Sequence, residues 1–131
     1  MSGNNSPASS RFPKSKRLLK HADFQRVYQN GRRQFTGNMT VFFLRRGDQP
    51  IAGPRVGFTV GKVLGGAVER NRIKRRMREA VRLSVAACEG PVDIVFNPRK
   101  AVLAMPFAEL STEVARCLRL AVQRARVAEA K

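Results

Sequence analysis

Between a glycine-punctuated stretch at Gly61 to Gly66 and the Gly90-Pro91 pair lies a run, from about Ala67 to Cys88, whose side chains sort cleanly at a helical period. At about 100° per residue, Ile73, Met77, Ala80, Val81, Ser84, Val85 and Cys88 collect on one side. Asn71, Arg75, Arg78 and Arg82 recur at i, i+4, i+7 and i+11 on the other, flanked by Arg72 and Arg76, with Lys74 on the far shoulder. The pattern predicts a helix that presses one face onto a core and presents a rail of cations on the opposite face. Oppositely charged neighbours at i, i+4 could neutralise a mixed surface, but only Glu69 and Glu79 stand against seven Lys and Arg. A solvated charged face is the bland reading, but the one-sign imbalance favours a partner that supplies the anions, and the rest of the chain must supply the layer under the helix's apolar face.

That layer is legible on either side. RLLKHADFQRVYQNG places Phe24, Val27 and Tyr28 at i, i+3 and i+4, a short helix with one aromatic face, and Asn30-Gly31 supplies a left-handed stop. NMTVFFL, Asn38 to Leu44, is β-branched and aromatic, GDQPIAGP reads as a turn or loop, and RVGFTV, residues 55 to 60, has strand character again. The connection between these two strands is too short for a crossover helix, so they are expected to pair as antiparallel neighbours. VDIVF, residues 92 to 96, is a short strand ending at Asn97-Pro98. A last helix begins near Pro106 and sets Leu110, Val114, Cys117, Leu118, Ala121 and Ala125 on one face. The order α-β-β-α-β-α, with room for one further short strand, predicts an α+β fold, a two-layer α/β sandwich. Residues 1–13 have the composition of a disordered basic arm, and 14–131 are expected to form one RNA-binding domain.

Charge narrows the partner. With 26 Lys and Arg against 9 Asp and Glu, the net charge is +17, which calls for a polyanion. No apolar run approaches the roughly 20 residues of a spanning helix, and the N-terminus lacks the apolar stretch of a secretory signal, so the expected location is the cytoplasm and no membrane partner is expected. Cys88 and Cys117 lie far apart without a CxxC partner and read as buried free thiols. One histidine and no Cys/His cluster leave no zinc site of the usual kind. Phosphates are the natural counterions of an arginine-rich rail, since each cation placed against one releases condensed salt, and the guanidinium fork can grip two oxygens or stack on a base.

RVGFTVGKVLGGAVERNRIKRRMREAVR resembles the signature of the bacterial ribonuclease P protein family, whose hallmark is an Arg-Asn-Arg run opening the basic helix, here Arg70, Asn71 and Arg72. The likeness extends from about Arg17 to Arg124 and includes D-F-Q-x-V-Y, V-G-x-x-V and the terminal amphipathic helix. It implies a fold similar to a domain of ribosomal protein S5 (domain 2), with a left-handed β-α-β crossover around the basic helix. It further implies a protein that binds a catalytic RNA, with one copy per RNA as the expectation, and that promotes magnesium-dependent removal of the 5′ leader of precursor tRNA. The residues matched to the catalytic RNA are Lys62, Arg70, Asn71, Arg72, Lys74, Arg75, Arg76, Arg78 and Arg82. Those matched to a cleft for the single-stranded leader are Lys20, Phe24, Tyr28, Thr40, Phe42 and Thr59. Phe24 could equally serve the core, whereas Phe43 is expected inside and Tyr28 at a wet edge. Where the family commonly carries two lysines, Lys62 is followed here by Val63.

Hydrolysis by the protein itself would need an acidic metal-binding cluster or an acid and base pair. The nine acids are scattered, and His21, the sole imidazole, sits where it starts the first helix. No catalytic residue, metal site or protein-bound cofactor is therefore expected, and the Mg2+ is assigned to the RNA. Two other readings share the charge: a structural binder of ribosomal RNA, and a DNA regulator, which the absence of heptads and paired short helices disfavours.

Overall fold

The computed structural model describes residues 16–18, 20–46 and 53–130, with side chains through 126. The arm expected over residues 1–13 and most of the loop after Arg46 lie outside the described residues. Helix α1 is His21–Asn30, strands β1 and β2 are Arg32–Phe35 and Met39–Arg45, and β3 is Arg55–Phe58. A 3-10 turn, Lys62–Leu64, leads into α2, Ala67–Val85; β4, Val92–Pro98, and a second 3-10 turn, Lys100–Leu103, lead into α3, Phe107–Ala130. The four strands form one mixed sheet in the order β1-β2-β4-β3.

Alternation along the strands divides the molecule. Met39, Val41 and Phe43 of β2, Val56 of β3, and Val92, Ile94 and Phe96 of β4 are buried in one cluster with the predicted faces of α2 and α3. On the other face Val95 is buried with Leu18 and Val27, and Phe24, Tyr28, Phe42 and Leu44 pack around them. The main sandwich is thus the sheet against α2 and α3, and the short α1 lies across part of the second face. Every one of Leu110, Val114, Cys117, Leu118, Ala121 and Ala125 is buried, as the spacing of α3 predicts.

Two expectations are corrected. The strands 38–44 and 55–60 do not pair: β4 lies between them, antiparallel to β2 and parallel to β3. The segment joining β2 to β3 therefore steps over one strand, about 10 Å in all, and α2 is the crossover joining the parallel neighbours β3 and β4. The additional short strand is β1, antiparallel to β2 at the sheet edge. Gly31 is also not a left-handed stop, since its φ is −84°. Glycine is demanded there by crowding, because a Cβ would lie 2.5 Å from the Val27 carbonyl oxygen and 2.7 Å from that of Phe43. Helix α2 begins without a side-chain cap at Gly66, and the Glu69 carboxylate accepts the Gly66 N–H at 3.1 Å, half of a capping box.

Candidate nucleic-acid interface

Five of the six cleft candidates meet on the sheet face that α1 only partly covers, and the sixth, Lys20, is the N-cap of α1. Thr40 stands opposite Asn97 and Phe42 opposite Val95, so alternation brings these side chains to the same side as Tyr28 and Phe24 above them. The Tyr28 ring meets Phe42 edge-on at 4.9 Å. Its hydroxyl donates to Asn97 Oδ1 at 3.0 Å, which leaves Thr59 Oγ1, 2.5 Å away, to donate to it. Thr59 and Lys20 are exposed, while Phe24, Tyr28, Thr40 and Phe42 are half-buried. Phe43, on the opposite side of β2, is buried. Phe24 serves two purposes: its ring closes over Gly57, where a Cβ would lie 2.5 Å from Phe24 Cζ, and another part of it lines a cavity.

That cavity, about 190 Å³, opens beside β3 and is walled by Arg17, Leu18, Phe24, Val56, Gly57, Phe58, Lys74 and Arg78. It joins candidates that the sequence assigned to separate surfaces, because Lys74 and Arg78 come from α2 and Phe24 from α1. Arg17 pairs by its backbone with Val56, and its Nε is buried with no hydrogen-bond partner among the described residues. An anion at this corner would meet three cations and two aromatic walls.

Along α2, Asn71, Arg72, Arg75 and Arg78 are exposed, as is Lys62 in the turn before it. Lys74 is half-buried at the cavity, and the three remaining rail members are engaged by the protein. Arg70 Nε donates to the Gly65 carbonyl at 3.2 Å, and Arg82 forms a two-point pair with Glu79. Arg76 is turned inward: its guanidinium donates to the carbonyls of Val102 and Met105 and lies over the Phe107 ring, tying α2 to the start of α3. Val63, where the family pattern has a second lysine, is 93% exposed.

A buried ionic cluster holds α1 in place over the sheet, and the sequence reading missed it. Asp93 is fully buried; Arg26 reaches its carboxylate at 2.7 Å, Arg46 at 3.0 Å and Arg55 at 2.9 and 2.8 Å. Asp23 accepts from Arg26 at 2.9 Å, and Arg46 also bonds the carbonyls of Val92 and Gly53. Burial alone would raise the Asp93 carboxyl, but hydrogen bonds from Arg55 and Arg46 and their charges outweigh it and hold the group below its ordinary value. The signal was present: 93, 95 and 97 alternate with the apolar 92, 94 and 96, so Asp93 and Asn97 had to share the face that carries the cleft.

His21 opens α1, exposed, 3.3 Å from the Gln25 amide. Among the described residues no three His, Cys, Asp or Glu side chains gather where a metal ion could be held. Cys88 and Cys117 are free thiols, but only Cys117 is buried as expected and Cys88 is half-buried; burial pushes the Cys117 thiol up to about 11, with Glu113 adding to the effect. No helix among the described residues is long and apolar enough to cross a membrane.

Comparison with known proteins bears on the family and the fold. The Ribonuclease P family model matches residues 12–122. The ribonuclease P protein component of Acidothermus cellulolyticus is 41% identical over 82% of this chain and 88% of its own length, and that of Symbiobacterium thermophilum is 44% identical over 77% and 86%. Among solved structures, an RNase P protein mutant of Staphylococcus aureus with defective mRNA degradation activity superposes with a TM-score of 0.72 at 31% identity, over 82% of this chain and 89% of that one. The RNase P protein from Thermotoga maritima gives 0.68 at 26% identity, over 78% and 94%. With sequence and fold in agreement over nearly all the described residues, the chain belongs to the ribonuclease P protein family.

Proposed function

We propose that this chain is the protein subunit of a cytoplasmic ribonuclease P and that its two surfaces divide the work. The exposed cations of α2, Arg72, Arg75 and Arg78 with Asn71 and Lys62, bind the catalytic RNA; Arg70 and Arg82 support them from half-buried positions. The face built by Lys20, Phe24, Tyr28, Thr40, Phe42 and Thr59 takes the single-stranded 5′ leader of precursor tRNA, with bases against the rings and phosphates near the cations. The observation that carries this reading is the cavity where Phe24 meets Lys74 and Arg78: it makes aromatic face and cationic helix one continuous surface. Arg76, engaged by two carbonyls, orders the scaffold.

The hydrolytic chemistry and its Mg2+ belong to the RNA in this proposal, and the protein raises the affinity for substrate. The test is cleavage of a precursor tRNA by a bacterial ribonuclease P RNA at low magnesium, with and without the protein. Rescue by the wild type and its loss in a variant carrying both Arg75→Ala and Arg78→Ala are expected. No rescue by demonstrably folded protein with a cognate RNA would direct attention to structural binding of ribosomal RNA.

A further inference from the structure

The cleft residues do not exhaust the aromatic surface of this face. Phe35, on the edge strand β1, is 62% exposed and belongs to neither buried apolar cluster. Register fixes its place. Phe35 stands opposite Thr40 and Arg33 opposite Phe42, so both side chains rise on the face that carries the cleft. Phe35 is therefore the diagonal neighbour of Phe42, at about 7–8 Å. The Arg33 guanidinium lies over the Phe35 ring, 5.3 Å from its centroid, setting a cation on one face of the ring. Toward α3, Phe35 also borders an open groove of about 470 Å³ whose lining includes Glu113, Arg116, Leu120 and Arg124, with Arg124 already held by Gln34 and the Phe43 ring.

Packing gives no reason for a phenylalanine here, and an apolar ring on an open sheet edge is a liability for association. Arg33 covers one face of the ring; a base offers a flat partner for the other, attached to a phosphate for the Arg33 guanidinium. We infer that Phe35, with Arg33 beside it, is a further stacking position for a base of the single-stranded leader, one step past the position formed by Tyr28 and Phe42. The inference rests on the leader reading of the cleft. It adds that the leader crosses β2 toward β1, so that only a leader long enough to reach the edge strand senses Phe35.

The experiment measures the affinity of the reconstituted holoenzyme for precursor tRNAs whose leaders lengthen one nucleotide at a time. Affinity should rise in steps. Phe35→Ala should remove a late step, weakening binding of long leaders from several-fold to about a hundredfold, with short leaders and mature tRNA unaffected. Phe35→Trp should restore that step, and Tyr28→Ala should remove an earlier one. If Phe35→Ala matches the wild type at every length while Tyr28→Ala does not, this inference fails and the cleft stands. If neither variant removes a step, the leader reading fails with it. Weaker binding of the catalytic RNA alone by Phe35→Ala, or a melting temperature lowered enough to explain the loss, also overturns the inference.

Discussion

Arg76 and Arg75 are adjacent in the sequence and opposite in consequence. Arg76 donates to two carbonyls and covers the Phe107 ring, whereas Arg75 is exposed. Hydrogen bonds from a charged group are worth about 1.5–3 kcal/mol, so Arg76→Ala should lower stability by that order in a urea melt. Arg75→Ala should change stability by no more than about 0.5 kcal/mol and weaken RNA binding instead. Tyr28 separates ring from hydroxyl in the same way. Tyr28→Ala should reduce precursor affinity by about 1–3 kcal/mol if a base stacks there. Tyr28→Phe keeps the ring and removes only the bonds to Asn97 and Thr59, so it should retain most of that affinity in the same binding assay. At this scale the sequence marks which residues are chemically capable and cannot tell which are already engaged. The seven cations of α2 look alike on a helical wheel, and only the fold turns Arg76 toward a carbonyl pair.

At the scale of elements, legibility followed periodicity. Helices α2 and α3 are readable because long amphipathic patterns leave one face to bury; α3 buries all of its expected face, and α2 buries its own except Ser84 and Cys88, which are half-buried. Strand β1, RRQF, carries no apolar alternation and exists because β2 offers it an edge. The order of the strands was hidden for a different reason: a short connection forbids a crossover helix but does not forbid a third strand from entering between two others. Helix α2 also bears a cost that the proposed function explains. Arg70 and Arg72 stand in its first turns, where the helix dipole disfavours cations, and Glu69 is the acid of its first turn. If the exposed rail meets phosphates, replacing both Arg75 and Arg78 by Ala should make the salt dependence of binding to the catalytic RNA shallower by about one unit of log-log slope per residue. A salt titration with unchanged slope would place the rail elsewhere.

At the scale of the whole molecule, one buried carboxylate organises an excess of positive charge. Asp93 gathers Arg26 from α1, Arg46 from the end of β2 and Arg55 from β3 around β4, which fixes α1 above the sheet and hence the width of the cleft. Three guanidiniums drawn together in a chain of net charge +17 repel one another once that charge is gone, and removing one partner of a buried pair costs about 3–5 kcal/mol. Asp93→Asn should therefore lower the unfolding free energy by that order. The same cluster sets the acid limb of stability. Asp93 titrates below its ordinary value of 3.8 in the folded protein, so between the folded and unfolded values the unfolded chain binds a proton that the native state does not. Stability from this group is complete above about pH 4 and is lost as pH falls through the folded value, at up to about 1.4 kcal/mol per pH unit. Urea midpoints measured from pH 6 downward should fall below about pH 4 in the wild type. In Asp93→Asn they should start lower and fall less steeply by up to one proton's worth. An acid limb of identical slope in both proteins would show that the repulsion of the whole charged surface, and not this carboxylate, governs unfolding in acid.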